Sequence, residues 1–176
     1  WQGVPFILKA GKALNEAKAE IRVQYHPTPA AMHMFDGQPC PRNELVIVLQ
    51  PEETIYFKTN VKAPGLRTAP LQTELDLTYE SRFPGLFNPD AYTRLILDVL
   101  RGEQSTFVRE DELKAAWRIF DPVIKRMERE KIQPLPYKYG SRGPKEADDL
   151  RESVGYVYDS SYEWHRKQRQ SQVHKK

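Results

Sequence analysis

The sequence has few cysteines, no long apolar run and almost no excess of charge of one sign. It holds a single cysteine, Cys40, among 176 residues, so no internal disulfide can form. No apolar run approaches the roughly 20 residues that a membrane-spanning helix needs. The 27 basic and 24 acidic residues nearly cancel, to a net charge of +3, which excludes a global field that would attract nucleic acid or a membrane surface. Any anion site must therefore be local.

Motifs for common cofactors and metals are also missing. Neither the dinucleotide motif G-x-G-x-x-G nor the phosphate-loop motif G-x-x-x-x-G-K-[ST] occurs. The four histidines, His26, His33, His165 and His174, are scattered, and no second cysteine is present to complete a metal site. Cys40 lies between two prolines, which favours an inert loop thiol over a nucleophile with a histidine base. We therefore expect neither a metal nor a covalent catalytic centre in this chain.

The first half of the chain alternates apolar and polar residues, which is the period of a half-buried β-strand. The pattern occurs in residues 19–25, and after a β-branched run in residues 44–51, which Pro51 ends, it resumes in residues 54–61 and 73–79. The second and third of these segments are close enough in sequence to form a hairpin. Residues 26–42 hold four prolines and one glycine, which predicts a loop between the first two strands.

After residue 80 the period changes to that of a helix. Residues 88–102 have apolar residues at helical spacing, with Pro89 placed to begin the helix and Gly102 to end it. Residues 110–131 continue the pattern, and Asp121-Pro122 predicts a bend or a cap followed by a second helix. Residues 144–155 predict a further short helix. Strands first and helices after indicate an α+β fold with an antiparallel sheet.

The segment GKALNEAKAEIR, residues 11–22, is the best candidate for ligand binding. Gly11 would let the backbone turn close to a ligand, and Lys12 presents a compact charge suited to phosphate. Taken alone, the pair leaves open the alternative of a solvated lysine after a turn. Lys18 and Arg22 are an even number of residues apart, so on a strand they would share one face.

Seven blocks, read in order, resemble the C-terminal part of the glucose-6-phosphate dehydrogenase family: WQGVPFILKAGKALNEAKAEIRVQY, RNELVIVLQP, ELDLTY, PDAYTRLILDVLRG, DELKAAWRIFDP, PYKYGSRGP and EADDL. The resemblance covers residues 1–164. The basic tail, residues 165–176, lies outside it, and we expect that tail to be disordered. The chain opens on WQGVPFIL without an initiator methionine, so we expect it to be part of a longer protein.

The resemblance implies a two-domain dehydrogenase, of which this chain is part of the second domain. That domain would be α+β, with a large, mostly antiparallel sheet and helices, and the sheet would form a homodimer or tetramer contact. The Rossmann domain that holds the catalytic coenzyme, and the histidine base, would both lie in a missing N-terminal part. No catalytic residue is therefore expected here, and the fragment alone should be inactive.

The resemblance also implies two sets of binding residues. Lys12, the lysine of the GKALNE motif, would contact the phosphate of glucose 6-phosphate, and Gln50 would lie near the sugar hydroxyls. A second cation is usual five residues after Lys12, where this chain has Ala17. Some family members bind a second, structural NADP in this domain. The positions that match its binding motif are Lys9, Lys18, Arg22, Tyr56, Lys58, Asp76, Leu77, Thr78, Arg142, Tyr158 and Trp164. Lys9 and Val48 stand where the family usually has arginine.

The function implied is oxidation of glucose 6-phosphate to 6-phosphogluconolactone with NADP, the first step of the pentose phosphate pathway, in the cytoplasm. The residues alone also allow a nucleic-acid-binding or scaffold module that uses the basic tail and the tyrosines Tyr137 and Tyr139. The stretch around those tyrosines has only two cations and lacks the sheet-borne aromatic pattern of RNA-binding platforms. We therefore expect no nucleic-acid partner and no membrane.

Overall fold

Four antiparallel strands, joined in chain order, form the sheet of this protein. The computed structural model describes residues 1–29, 40–62, 64–66 and 70–158. Within them the strands are β1 (Ala19–Gln24), β2 (Glu44–Gln50), β3 (Thr54–Lys62) and β4 (Pro70–Thr78), in the order β1-β2-β3-β4. β2 and β3 form the predicted hairpin. The predicted α+β fold with a mostly antiparallel sheet is confirmed.

The described residues group into two compact units. The first contains Trp1–Arg82 and residues 137–158, and the second is Phe83–Pro136. The predicted limits of the domain, residues 1–164, and of the tail, residues 165–176, stay a prediction, because everything after residue 158 lies outside the described residues.

The register of the sheet sorts its side chains onto two chemically different faces. The polar face carries two rows of paired neighbours, Arg22–Val46–Tyr56–Asp76 and Gln24–Glu44–Lys58–Glu74. Because side chains alternate along a strand, the intervening residues lie on the opposite, apolar face. The apolar face carries the rows Ile21–Ile47–Ile55–Leu77 and Val23–Leu45–Phe57–Leu75.

In this sheet the polar face is the buried one and the apolar face is the exposed one, which is the reverse of a sheet that packs on a hydrophobic core. On the polar face Val46, Tyr56 and even Lys58 are buried, with Lys58 only 1% exposed, whereas Leu75 on the apolar face is 68% exposed. The chain after the last helix covers part of the polar face. There the Gln24 side chain exchanges two hydrogen bonds, of 2.8 and 2.9 Å, with the main chain of Val157. The small core of the first unit therefore lies on the polar side of the sheet.

Within the described residues, four helices follow the strands in sequence. They are α1 (Tyr79–Arg82), α2 (Ala91–Arg101), α3 (Glu110–Glu130) and α4 (Lys145–Ser153). Tyr79, predicted as the end of the fourth strand, instead begins α1. The Asp90 carboxylate caps α2 by accepting hydrogen bonds from two main-chain amides, and Gly102 ends that helix in the left-handed conformation, with φ of 73°.

The second unit corrects one prediction. Residues 110–130 form a single helix that continues through Pro122, where the sequence predicted a bend or cap and a second helix. Proline removes one main-chain donor from the helix, yet Trp117, Phe120 and Ile124 keep the helical spacing on both sides of it. Among the residues that the structure describes, no helix combines the length and apolar character needed to cross a membrane.

Candidate functional site

The GKALNE segment, residues 11–16, forms a loop ahead of β1, which we call the GKALNE loop. Its left-handed residue is Ala13, with φ of 56°. The missing Cβ of Gly11 matters because a Cβ there would lie 3.3 Å from the Leu14 Cδ1 atom. Lys12 is exposed, and within the described part of the chain no acidic side chain pairs with it.

A second segment, YKYGSR at residues 137–142, holds the GKALNE loop through its main chain. The Tyr137 hydroxyl donates a 2.7 Å hydrogen bond to the main-chain oxygen of Lys12. The main-chain N–H of Gly140 donates a 2.8 Å bond to the oxygen of Ala13. The loop that presents Lys12 is therefore fixed by residues more than 120 positions later in sequence.

Gln50, the other predicted substrate residue, is the last residue of β2 and is exposed. It pairs with Ala19 at the start of β1, next to an irregularity in the register, and a cis peptide bond joins it to Pro51. In the described residues no hydrogen bond links the Gln50 side chain to Lys12. The assignment of both residues to a sugar-phosphate pocket stays a prediction.

Cations and carboxylates alternate on the polar face around β1. Arg22 Nε lies 2.8 Å from Glu20 Oε1, and Arg22 Nη1 lies 3.0 Å from Glu44 Oε2. Lys18 Nζ lies 3.0 Å from the same Glu20 oxygen, and Lys58 Nζ lies 3.6 Å from Glu44 Oε2. Lys18 and Arg22 therefore meet at one carboxylate.

These contacts keep Glu20, Lys18 and Arg22 charged although burial opposes the charged form of each. Burial acts to raise the pKa of Glu20, but hydrogen bonds and charges from Arg22 and Lys18 outweigh it and lower that pKa below its ordinary value. Burial acts to lower the pKa of Lys18, but Glu16 and Glu20 raise it. Burial is the main cause that raises the pKa of Tyr56 to about 12. At neutral pH Lys18 and Arg22 are cationic and Tyr56 is a neutral phenol.

A second group of cations lies beside α4. The guanidinium of Arg142 stacks 3.3 Å from the centroid of the Tyr158 ring, and its Nη2 atom lies 3.1 Å from Asp148 Oδ1. Arg151 contacts the same Asp148 oxygen. The Lys9 ammonium donates a hydrogen bond to the main-chain oxygen of Arg142. These groups border a cavity of about 200 Å³, which is lined by Arg142, Asp148, Arg151, Glu152, Tyr156 and Tyr158.

This second group carries more positive charge than its acids compensate. Desolvation, followed by the charges of Arg151, Arg142 and Lys18, lowers the pKa of Lys9 below its ordinary value. An anion bound beside Lys9 would offset the repulsion from these cations and stabilise the protonated form of the lysine. The two groups are continuous, since the Tyr156 hydroxyl, which lines the cavity, donates a 3.4 Å hydrogen bond to Glu44. We call them together the polar-face cluster.

The structure brings most of the predicted nucleotide residues to this cluster. Those in it or bordering it are Lys9, Lys18, Arg22, Tyr56, Lys58, Arg142 and Tyr158. Asp76 and Thr78 lie on the polar face of β4. The side chain of Leu77 lies on the apolar face, so only its main chain could contact a ligand on the polar face. Val48, on the polar face between Glu20 and Thr54, supplies no charge. Trp164 lies outside the described residues.

Sequence reasoning missed several members of the cluster. They are Glu20, Glu44, Asp148, Arg151 and Tyr156. Alternation could have found Glu20, because it shares the parity of Arg22. The residues of α4 and beyond carry no comparable signal, since their approach to β1 depends on tertiary structure. Among the described residues no group of three or more potential metal ligands occurs.

By its geometry this chain is an α+β domain, with one exposed lysine on a fixed loop and a cluster of cations and carboxylates on one face of a sheet. The family model "Glucose-6-phosphate dehydrogenase, C-terminal domain" matches residues 1–165. The chain belongs to this family.

Individual relatives agree with the family match. Glucose-6-phosphate 1-dehydrogenase of Drosophila melanogaster is 56% identical over 165 residues, which is 94% of this chain and 31% of that protein. The cytoplasmic isoform of Solanum tuberosum is 55% identical over 164 residues, or 93% of this chain and 32% of that protein. A solved structure of glucose-6-phosphate dehydrogenase in complex with its substrate glucose-6-phosphate matches with a TM-score of 0.74 and 44% identity, covering 85% of this chain and 30% of that one. The chain thus spans about a third of the length of these relatives.

Proposed function

We propose that this chain is part of the second domain of an NADP-dependent glucose-6-phosphate dehydrogenase and forms a wall of its sugar-phosphate pocket. The full-length protein would oxidise glucose 6-phosphate to 6-phosphogluconolactone in the cytoplasm. The coenzyme domain and the histidine base would lie outside this chain. The observation that carries the proposal is Lys12, the lysine of the family motif, which is exposed on a loop held at a fixed geometry.

The role of Lys12 follows from its surroundings. Lys18 and Arg22 already share carboxylates, whereas Lys12 has no acidic partner within the described residues. An ammonium group without an internal counter-ion is available to a phosphate dianion. Holding the phosphate fixes the far end of the sugar, so that the carbon to be oxidised is oriented toward the coenzyme. With Ala17 where a second cation is usual, Lys12 carries a larger share of this contact.

Replacing Lys12 by alanine in the full-length protein tests the proposal. A hydrogen bond to a charged group contributes about 1.5–3 kcal/mol, so we expect the KM for glucose 6-phosphate to rise roughly ten- to a hundredfold, with a smaller effect on kcat. Lys138→Ala is the matched control, because Lys138 is also exposed and lies in the YKYGSR segment. An unchanged KM in Lys12→Ala would contradict the proposal, and so would turnover by residues 1–176 alone.

A second binding function, a structural NADP in the polar-face cluster, is favoured by the lowered pKa of Lys9 and by the cavity that Arg142, Arg151 and Tyr158 line. Lys9, Lys18 and Arg142 would face the phosphate groups, and Tyr158 offers a ring on which a flat base can stack. Such a nucleotide would supply negative charge to the cluster and no chemistry to the reaction. With lysine at position 9 and valine at position 48, fewer arginine forks are present than the family usually provides.

We also propose that the full-length protein forms a homodimer or tetramer through the sheet. The exposed apolar face supports this, because an apolar surface of this kind marks a site of association. The comparisons do not support a nucleic-acid-binding or scaffold module.

A further inference from the structure

We propose that Tyr137 is a positioning residue for Lys12. Its hydroxyl fixes the main chain of the GKALNE loop and so aims the Lys12 ammonium group at the phosphate of the sugar. The inference rests on the proposed role of Lys12 in binding that phosphate.

Three hydrogen bonds define the conformation of the GKALNE loop. Two are the bonds from Tyr137 to the Lys12 oxygen and from Gly140 to the Ala13 oxygen. The third runs from the Asn15 main-chain N–H to the Ser141 oxygen, at 3.0 Å. The loop has no helix and no strand of its own, so its path depends on these contacts with the YKYGSR segment.

The bond from Tyr137 is placed where it controls the direction of the lysine. It engages the carbonyl of Lys12, which belongs to the rigid peptide between Lys12 and Ala13. Rotation of this peptide changes the ψ angle of Lys12 and the φ angle of Ala13 together. The φ of 56° at Ala13 is unfavourable for a residue with a Cβ, so without support the peptide would relax to a common conformation. The GKALNE loop would then sample other conformations, and the Lys12 ammonium group would be held toward the phosphate for less of the time.

The chain offers a matched pair of variants. Tyr137→Phe removes the hydroxyl and keeps the ring. Tyr139, two residues later in the same segment, is 85% exposed, so Tyr139→Phe makes the same chemical change away from the Lys12 main chain.

Steady-state kinetics of the full-length protein test the inference. We expect Tyr137→Phe to raise the KM for glucose 6-phosphate about three- to tenfold, as loss of one neutral hydrogen bond would, with kcat and the KM for NADP unchanged. Tyr139→Phe should match the wild type. In a Lys12→Ala background Tyr137→Phe should add no further increase, because a positioning residue acts through the group it positions.

The outcomes separate this inference from the proposed function. If Lys12→Ala raises the KM and Tyr137→Phe does not, Tyr137 is not a positioning residue while the role of Lys12 stands. If the two variants have independent, additive effects, Tyr137 acts by another route and the inference is overturned. If Lys12→Ala leaves the KM unchanged, the proposed role of Lys12 fails, and the inference fails with it.

Discussion

At the scale of single residues, Glu20 organises the polar-face cluster. One carboxylate accepts contacts from both Lys18 and Arg22, and its side chain is only 18% exposed. A shared carboxylate of this kind holds two cations close together that would otherwise repel each other. Glu20 thereby keeps Lys18 and Arg22 in place without any bound ligand.

Replacing Glu20 by glutamine should destabilise the protein and change its response to acid. The pKa of Glu20 is lowered in the folded state, so its contribution is present above the ordinary value of 4.5 and is lost as the pH falls through the folded pKa. We expect Glu20→Gln to lower the free energy of unfolding at neutral pH by about 1–2 kcal/mol. The loss of stability of the wild type below about pH 5 should be shallower in the variant.

Urea denaturation at several pH values measures both effects. Glu16→Gln is the control, since Glu16 is 53% exposed and pairs with Lys18 at the surface, where an ion pair contributes under about 1 kcal/mol. Superimposable stability profiles for wild type and Glu20→Gln would show that Glu20 does not organise the cluster.

At the scale of elements, the sequence was informative wherever a local pattern decides the structure. Alternation predicted β1, β3 and most of β4, and a β-branched run predicted β2. Alternation also placed Leu75 and Leu77 opposite Glu74 and Asp76, because the period of a strand is a local property. The helix break predicted at Pro122 was wrong, because the preference of proline for a helix end is a local property. The length of α3 depends instead on the apolar stripe along the whole helix.

The site was less predictable than the sheet. The bonds that build it join residues far apart in sequence, such as Gln24 with Val157 and Lys9 with Arg142, each 133 positions apart. The spacing of apolar residues along the sequence carries no information about contacts between residues so far apart. The family resemblance named Arg142 and Tyr158, but only the coordinates show Asp148 between Arg142 and Arg151.

The apolar face of the sheet leads to a prediction for residues 1–176 expressed alone. Leu75 is 68% exposed on that face, and its row includes Phe57, so the isolated chain should associate through this surface as its concentration rises. Leu75→Glu should weaken the association by roughly a hundredfold or more, because a charge buried without a partner costs about 3 kcal/mol or more.

Sedimentation velocity over a range of concentrations measures this association. Leu66→Glu serves as the control, because Leu66 is fully exposed and lies outside the strands. A chain that sediments as a monomer at every concentration would contradict the prediction, as would equal association of the two variants.

At the scale of the whole molecule, the two proposed anion sites share one structural support. The YKYGSR segment begins at Tyr137, which holds the GKALNE loop, and ends at Arg142, which belongs to the polar-face cluster. In the proposed function Lys12 would serve the first site, and Lys9, Lys18 and Arg22 would serve the second. Sugar phosphate and structural nucleotide would thus bind to separate sets of cations.

The stoichiometry of NADP binding to the full-length protein tests this separation most directly. By titration calorimetry we expect two NADP per chain in the wild type, one at the catalytic coenzyme site and one in the polar-face cluster. Arg142→Ala should bind one, because it removes the guanidinium that stacks on Tyr158, while Lys12→Ala should still bind two. A single NADP in the wild type, or loss of the second NADP in Lys12→Ala, would contradict the account.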